Sequence, residues 1–232
     1  MKLKKLVAGL ALLAAGASQA SVLLSEGFND VTTLAGAGWV RTNNSSAGGS
    51  TAWFQGQPAS SFNAASGPAD SFIAANFDNA PFGGSISNWL ITPQLSLNSS
   101  VTLNFALRMA GDGFLDTVEV YLSTSGASTN VGGTTTSTGD FTKLATFTGS
   151  TDAGWLSEAV ALSSLSGNVN GRLAFRYVVG DTSIDGNLVG IDNVVVNAND
   201  VPEPGSLALA ALALGGLGLS SMRRGRTASA PV

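Results

Sequence analysis

"SVTLNFALRM", Ser100 to Met109, alternates without a break. Val101, Leu103, Phe105, Leu107 and Met109 fall on one face of an extended chain, and Thr102, Asn104 and Arg108 on the other. Side chains of a strand point to opposite faces with a period of two, so this spacing predicts a strand buried on one face. "DTVEVYLST" repeats the pattern with Val118, Val120 and Leu122. "GRLAFRYVVG" repeats it with Leu173, Phe175, Tyr177 and Val179, leaving Arg172 and Arg176 opposite. Clusters of Gly, Asn, Ser and Asp separate such runs across residues 21–198, with no helical period and no internal repeat. Half-buried antiparallel strands pack as two sheets. The expected fold is all-β, a jelly-roll-like antiparallel β-sandwich of about ten strands or more. Polar, glycine-containing stretches such as "NNSSAGGST" (Asn43 to Thr51) and "SGASTNVGGTTTSTGD" (Ser125 to Asp140) are expected to be solvated surface loops.

The two ends have a different composition. Residues 1–20, "MKLKKLVAGLALLAAGASQA", combine a lysine-rich start, a short apolar stretch and small residues at Ser18 and Ala20. This predicts a secretory signal removed by signal peptidase after Ala20. An N-terminal membrane helix fits poorly, because the apolar part is too short. At the other end a linker, 199–205, carries Pro202, Glu203 and Pro204. An uncharged run over 206–222 follows, rich in Leu, Ala and Gly and about 26 Å long as a helix, near the lower limit for crossing a bilayer. Arg223, Arg224 and Arg226 in the tail 223–232 would act as the membrane stop and hold that tail in the cytoplasm. A buried core helix is the alternative, but the run has no polar face and a basic stop follows at once.

The ends also account for the mean hydropathy of +0.26 and the 44% hydrophobic content, both high for a soluble chain. Formal charge is −4 overall, yet residues 21–200 hold 5 basic and 14 acidic residues, a net of −9. So acidic a region repels phosphate backbones, which argues against nucleic acid as a partner. The 232 residues include no Cys and no His. Disulfides, zinc sites of the Cys/His type, thiol chemistry and Ser-His or Cys-His machinery are therefore excluded.

"VPEPGSLALAALALGGLGLSSMRRGR", Val201 to Arg226, resembles the PEP-CTERM sorting signal of Gram-negative bacteria. That resemblance implies transient inner-membrane residence, recognition and cleavage near Pro202, Glu203 and Pro204 by an exosortase, then delivery to the cell surface or extracellular matrix. The extra "TASAPV" after the arginines departs from the pattern. The region between the ends is similar to the choice-of-anchor J domain, a bacterial relative of MAM and cleaved-adhesin modules. The likeness is carried by "LLSEGFND", Gly38-Trp39, "SNWLITPQLSL", "DTVEVYLSTSG", "RLAFRYVV" and "VGIDNVVV", in that order. It implies a non-enzymatic, adhesive or biofilm-associated surface module.

Three chemistries compete within the domain. The resemblance implies a structural calcium ion where the first and last strands lie side by side, at Glu26 and Asp192, with Asp30, Asp70 and Asn193 as further oxygen ligands. Glycoside hydrolysis would need a carboxylate pair, and Asp112 with Asp116 or Asp181 with Asp185 are the candidates; both pairs sit in turn sequence where Asp bonds its own backbone. Binding an extracellular polysaccharide would need an aromatic platform. Trp89 and Trp39 sit in core-like sequence, so Trp53 and Trp155 are the candidates, each weighed against burial in the core. No catalytic residue is assigned.

Overall fold

The computed structural model of the protein describes residues 20–199. The sequence-predicted signal, linker, membrane run and basic tail lie outside them, as do Pro202, Glu203, Pro204, Arg223, Arg224 and Arg226. Twelve strands make up the domain: β1 (Ala20–Glu26), β2 (Val40–Asn43), β3 (Phe54–Gln55), β4 (Ile73–Asn76), β5 (Ile86–Ile91), β6 (Leu95–Leu97), β7 (Val101–Met109), β8 (Asp116–Ser123), β9 (Thr142–Gly149), β10 (Leu156–Ala161), β11 (Val169–Val179) and β12 (Leu188–Asn199). The only helical turns among the described residues are two short 3-10 segments, Pro58–Ser60 and Phe77–Asn79.

Two antiparallel sheets face each other. The first runs β10-β7-β12-β4-β3, and the second β2-β5-β11-β8-β9. One long strand organises each. β12 gives one edge to β7 and divides the other between β4 and β1; β11 gives one edge to β8 and divides the other between β5 and β6. Ala20 pairs with Asn199, so the domain begins and ends at one end of the sandwich. The connections β4–β5, β7–β8, β9–β10 and β11–β12 lie at the opposite end.

The alternation read in β7, β8 and β11 is the interior of the sandwich. Leu103, Phe105, Leu107, Val118, Val120, Leu173, Phe175 and Tyr177 are all buried there. Phe105 meets Phe175 and Phe147 edge-on at 4.9 and 5.5 Å, the arrangement aromatic quadrupoles favour. Val189, Ile191, Val194 and Val196 of β12 complete this layer.

The outward faces are not the polar surfaces that the alternation implied. On the second sheet Trp89, Ile91, Tyr121 and Ala174 form a separate apolar cluster, covered by Val131 and Phe141 of the loop that joins β8 to β9. On the first sheet Ala74 is covered by Phe62 and Phe72, from the segment joining β3 to β4. Both loops are polar overall, yet each folds back onto a sheet through two buried residues. The Ser125–Asp140 loop faces solvent as expected except at Val131, which is buried against the sheet. The Asn43–Thr51 stretch is exposed for most of its length but stitched down, with the amides of Asn44, Ser46, Gly49 and Thr51 donating to the carbonyls of Ser87, Ser85, Asn79 and Asp78.

Arg176 shows how the second face is closed. Its guanidinium lies 5.0 Å from the Trp89 ring, donates to Glu119 Oε2 at 3.2 Å and to Ser87 Oγ at 3.0 Å, and reaches the carbonyl of Thr135 in the covering loop. Lys143 Nζ donates to the other Glu119 oxygen at 2.9 Å. Burial alone would raise the Glu119 carboxyl. Hydrogen bonds from Lys143 and Tyr121 and the two positive charges outweigh it, and hold the group below its ordinary range. Tyr121, buried and donating to that carboxylate, is pushed up to about 12.

Candidate functional site

Of the two tryptophans proposed as platforms, the structure removes one. Trp53 is 2% exposed and its Nε1 is buried without a partner. It belongs to the main core, where its apolar bulk is worth more than any rim contact, and so it cannot meet a ligand. Trp39 and Trp89 are buried as expected, Trp39 against Phe28 with centroids 5.6 Å apart.

Trp155 is half-buried, in the turn entering β10. Its Nε1 donates to the carbonyl of Asn63 at 2.8 Å. Phe62 and Phe72 stand edge-on to it, at 5.4 and 5.6 Å. Gly190 of β12 makes this seat possible. A Cβ there would lie 2.9 Å from Trp155 Cη2 and 2.8 Å from Phe62 Cε2, so only a glycine lets both rings rest on the sheet. Arg108, opposite Gly190 on β7, covers the Phe62 ring at 4.4 Å and grips Asp152 through two hydrogen bonds of 3.0 and 2.7 Å. The indole is thus held on several sides before any ligand arrives.

Beside it lies a shallow depression of roughly 490 Å³ on the outward face of the first sheet. Asn104 of β7, Ser157, Glu158 and Ala159 of β10, and Asn193 of β12 line it with Trp155. Register explains the arrangement: Ser157 sits opposite Ala106 and Ala159 opposite Asn104, so small side chains leave the floor open between the amides. Asn193 is turned toward it by a bulge in β12, where the pairing with β7 skips between Asp192 and Val195 and Asn193 takes a φ of 50°. An aromatic surface flanked by amides, a hydroxyl and a carboxylate can stack on a sugar ring and bond its hydroxyls. Sequence reading found Trp155 but missed Asn104, Glu158 and the glycine beneath the rings. These gather only through strand register, and no spacing in the chain signals it.

The calcium candidates other than Asp70 are each engaged locally. Glu26 Oε1 accepts the Phe28 amide at 2.8 Å, and Asp30 Oδ1 accepts the amide and hydroxyl of Thr32. Asp192 is fully buried; its oxygens accept the amides of Ala65, Ser66 and Asn193 at 2.9, 3.2 and 2.6 Å. Burial raises its pKa and those backbone bonds oppose the rise. Asn193 Oδ1 accepts the Ser66 hydroxyl, and Asp70 is exposed at the foot of the same loop. Among the described residues no three acidic side chains gather closely enough to hold a metal. The oxygen-rich spot is at Gln55, whose Nε2 is shared by the carbonyls of Phe28, Asp70 and Phe72.

The carboxylate pairs weighed for hydrolysis are engaged in structure. Asp116 is fully buried, accepting the Tyr177 hydroxyl at 2.7 Å and the Asn187 amide at 2.9 Å. Asp181 accepts the amide and hydroxyl of Ser183, and Asp185 the amide of Leu115. A buried Asp116 cannot reach a glycosidic bond, so the first pair is lost to that chemistry.

Residues 200–224 match the family model described as the PEP-CTERM protein-sorting motif. The chain carries that sorting motif. It marks an exported protein addressed to the surface. Among solved structures, the K3 cleaved adhesin domain of Lys-gingipain from Porphyromonas gingivalis W83 is similar at 19% identity, covering 77% of this chain and 99% of that one with a TM-score of 0.54. The K1 domain of the same protein is similar at 22% identity, covering 77% and 99% with a TM-score of 0.53. The K2 domain follows at 16% identity, covering 75% and 96%, also at 0.53. The domain therefore has the cleaved-adhesin fold, which the quoted stretches from "LLSEGFND" to "VGIDNVVV" had pointed to. No curated protein matches the sequence. Among the described residues no helix is long and apolar enough to cross a membrane; the 206–222 run lies outside them.

Proposed function

We propose that the protein is a non-enzymatic surface module that holds an extracellular polysaccharide, such as that of a biofilm matrix, in the depression beside Trp155. Signal peptidase removes residues 1–20, the 206–222 run lodges in the inner membrane, and an exosortase acts near Pro202, Glu203 and Pro204. The observation that carries the binding reading is the seating of Trp155: an indole fixed by the Asn63 carbonyl, Phe62 and Phe72, yet open to a depression lined by Asn104, Ser157 and Asn193. A preorganised aromatic costs little further ordering when a sugar stacks on it. The likeness to adhesin domains supports a non-catalytic role. The test is retention of the full-length chain, in detergent, on insoluble polysaccharides. Trp155→Ala should lower retention by about tenfold, on the ~1.4 kcal/mol expected of one aromatic contact. Equal retention by the variant would remove the depression as the site.

A structural calcium ion is a second reading, favoured by the three carbonyls that converge on Gln55 Nε2. A hard cation takes six to eight oxygens, and Glu26, Asp30, Asp70, Asp192 and Asn193 are the side chains that would have to supply the rest. Millimolar calcium should raise the melting temperature and a chelator lower it. Superimposable melting curves would exclude the ion.

A further inference from the structure

Every cation among the described residues is occupied internally. Arg108 pairs with Asp152, and Lys143 and Arg176 pair with Glu119. Arg41 donates to the Trp53 carbonyl, and Arg172 to those of Gly38, Thr92 and Ala127. The acidic side chains are not balanced in this way. Glu158 in particular is partly exposed and no described cation pairs with it.

Its position matters more than its charge. Register places Glu158 opposite Phe105, on the inward side of edge strand β10, while Ser157 and Ala159 face outward. Its side chain therefore stands at the open seam between the two sheets. It lines the Trp155 depression, and also a second groove of roughly 370 Å³ with an apolar floor of Leu107, Met109, Phe147 and Leu156. The two hollows meet at this one carboxylate. A chain lying across β10 from one to the other would have to pass it.

We infer that the polysaccharide held beside Trp155 is an amino-sugar polymer with free, protonated amines, and that Glu158 is the residue that selects it. This rests on the polysaccharide reading above. Charge complementarity is the argument: a net-acidic domain with no free described cation repels uronate polymers and attracts amines, and an unpaired carboxylate between two sugar-sized hollows gives that attraction a fixed place. A neutral polymer would leave Glu158 with no counter-charge. An acidic one would set like charges together, the arrangement that excludes wrong partners.

The test is calorimetric titration of the full-length chain in detergent with three oligosaccharides of equal length: fully de-N-acetylated chitohexaose, at a pH where its amines are protonated, its N-acetylated counterpart, and hexameric alginate. Chitohexaose should bind about tenfold or more tightly than the acetylated chain at low salt, with no binding of alginate. Glu158→Gln should abolish that preference while leaving affinity for the acetylated chain in place. Trp155→Ala should weaken both, and Ser157→Arg, an exposed change on the depression floor, does the same without disturbing the Phe62 and Phe72 contacts. Equal binding of both glucosamine oligomers to wild type would overturn the amine inference and leave the polysaccharide reading standing. Chitohexaose affinity unchanged in Trp155→Ala and Ser157→Arg would expose diffuse attraction to an acidic surface and overturn it too. Failure of all three sugars to bind would also overturn the amine inference, and the parent reading would then be decided by the retention of Trp155→Ala.

Discussion

The two outward faces of this sandwich solve one problem by different means. Each sheet carries apolar residues on the side away from the core, and each recruits a polar loop to cover them. On the second sheet the cover is locked by charge: buried Arg176 and Glu119 are joined by exposed Lys143, and Arg176 holds the loop by the Thr135 carbonyl. On the first sheet the cover is a stack of rings, Phe62, Phe72 and Trp155, clamped by Arg108 from above. A charged lock needs all its partners and leaves no room for another molecule. A ring stack can end at an exposed member. That is why the open aromatic stands on the first face and not the second.

Removing a keystone from each cover should show the difference. Phe72→Ala deletes a fully buried ring that touches both Phe62 and Trp155, and should cost about 3–5 kcal/mol in chemical denaturation. The same variant should lose polysaccharide retention, because Trp155 loses its backing. A cost below about 1 kcal/mol would mean that the cover is not a packed layer. Arg176→Ala should cost about 3 kcal/mol by leaving Glu119 and the Thr135 carbonyl short of partners, without affecting retention. Arg176→Met, of similar length and apolar, should recover part of that loss; if it is no better than Ala, the charge network stabilises the face more than its packing does.

Acid should move the two covers in opposite directions, by smaller amounts. Glu119 titrates below its unfolded value near 4.3, so its contribution is present above that value and is lost as pH falls through the lower folded pKa. Asp192, beneath the Ala65–Ser66 stretch of the other cover, is raised above its unfolded value near 3.9. Its ionised form is disfavoured in the folded state, so the cost is present above the folded pKa and is relieved as pH falls through it. Hydrogen exchange on acidification should therefore show residues 125–140 losing protection relative to residues 62–72. The reverse order would refute the assignment of charge to one face and rings to the other.

The sequence carried the inner faces clearly, because one parity of Val101 to Met109, Val118 to Leu122 and Leu173 to Val179 is apolar throughout. It carried the outer faces poorly. Trp89, Tyr121 and Ala174 sit at positions of the opposite parity, and their covers are supplied by isolated residues, Val131 and Phe141 or Phe62 and Phe72, within polar loops. Two apolar residues in such a loop produce no periodicity, so nothing local marks the loop as a lid. Trp53 illustrates the same limit: "TAWFQG" has no periodicity that marks a core position, yet tertiary packing buries Trp53. Trp155 stood out as an uncommitted aromatic, but Asn104, Glu158 and Gly190 become its neighbours only when β10, β7 and β12 align. The corner around Glu26 and Asp192 was legible only by resemblance, since adjacency of a first and a last strand is a property of topology.

The pairing of Ser21 with Ala198 has a mechanical consequence. If the chain is tethered beyond Asn199 and gripped near Trp155, tension enters β12 at one tip and leaves toward the far end of the sheet. β12 is flanked by β7 along one side and by β1 and β4 along the other, so the load runs parallel to the strand and is shared among its ladder bonds at once. A strand loaded lengthwise must shear many bonds together, whereas one peeled sideways loses them singly. A pull along β12 would therefore meet its ladder bonds together.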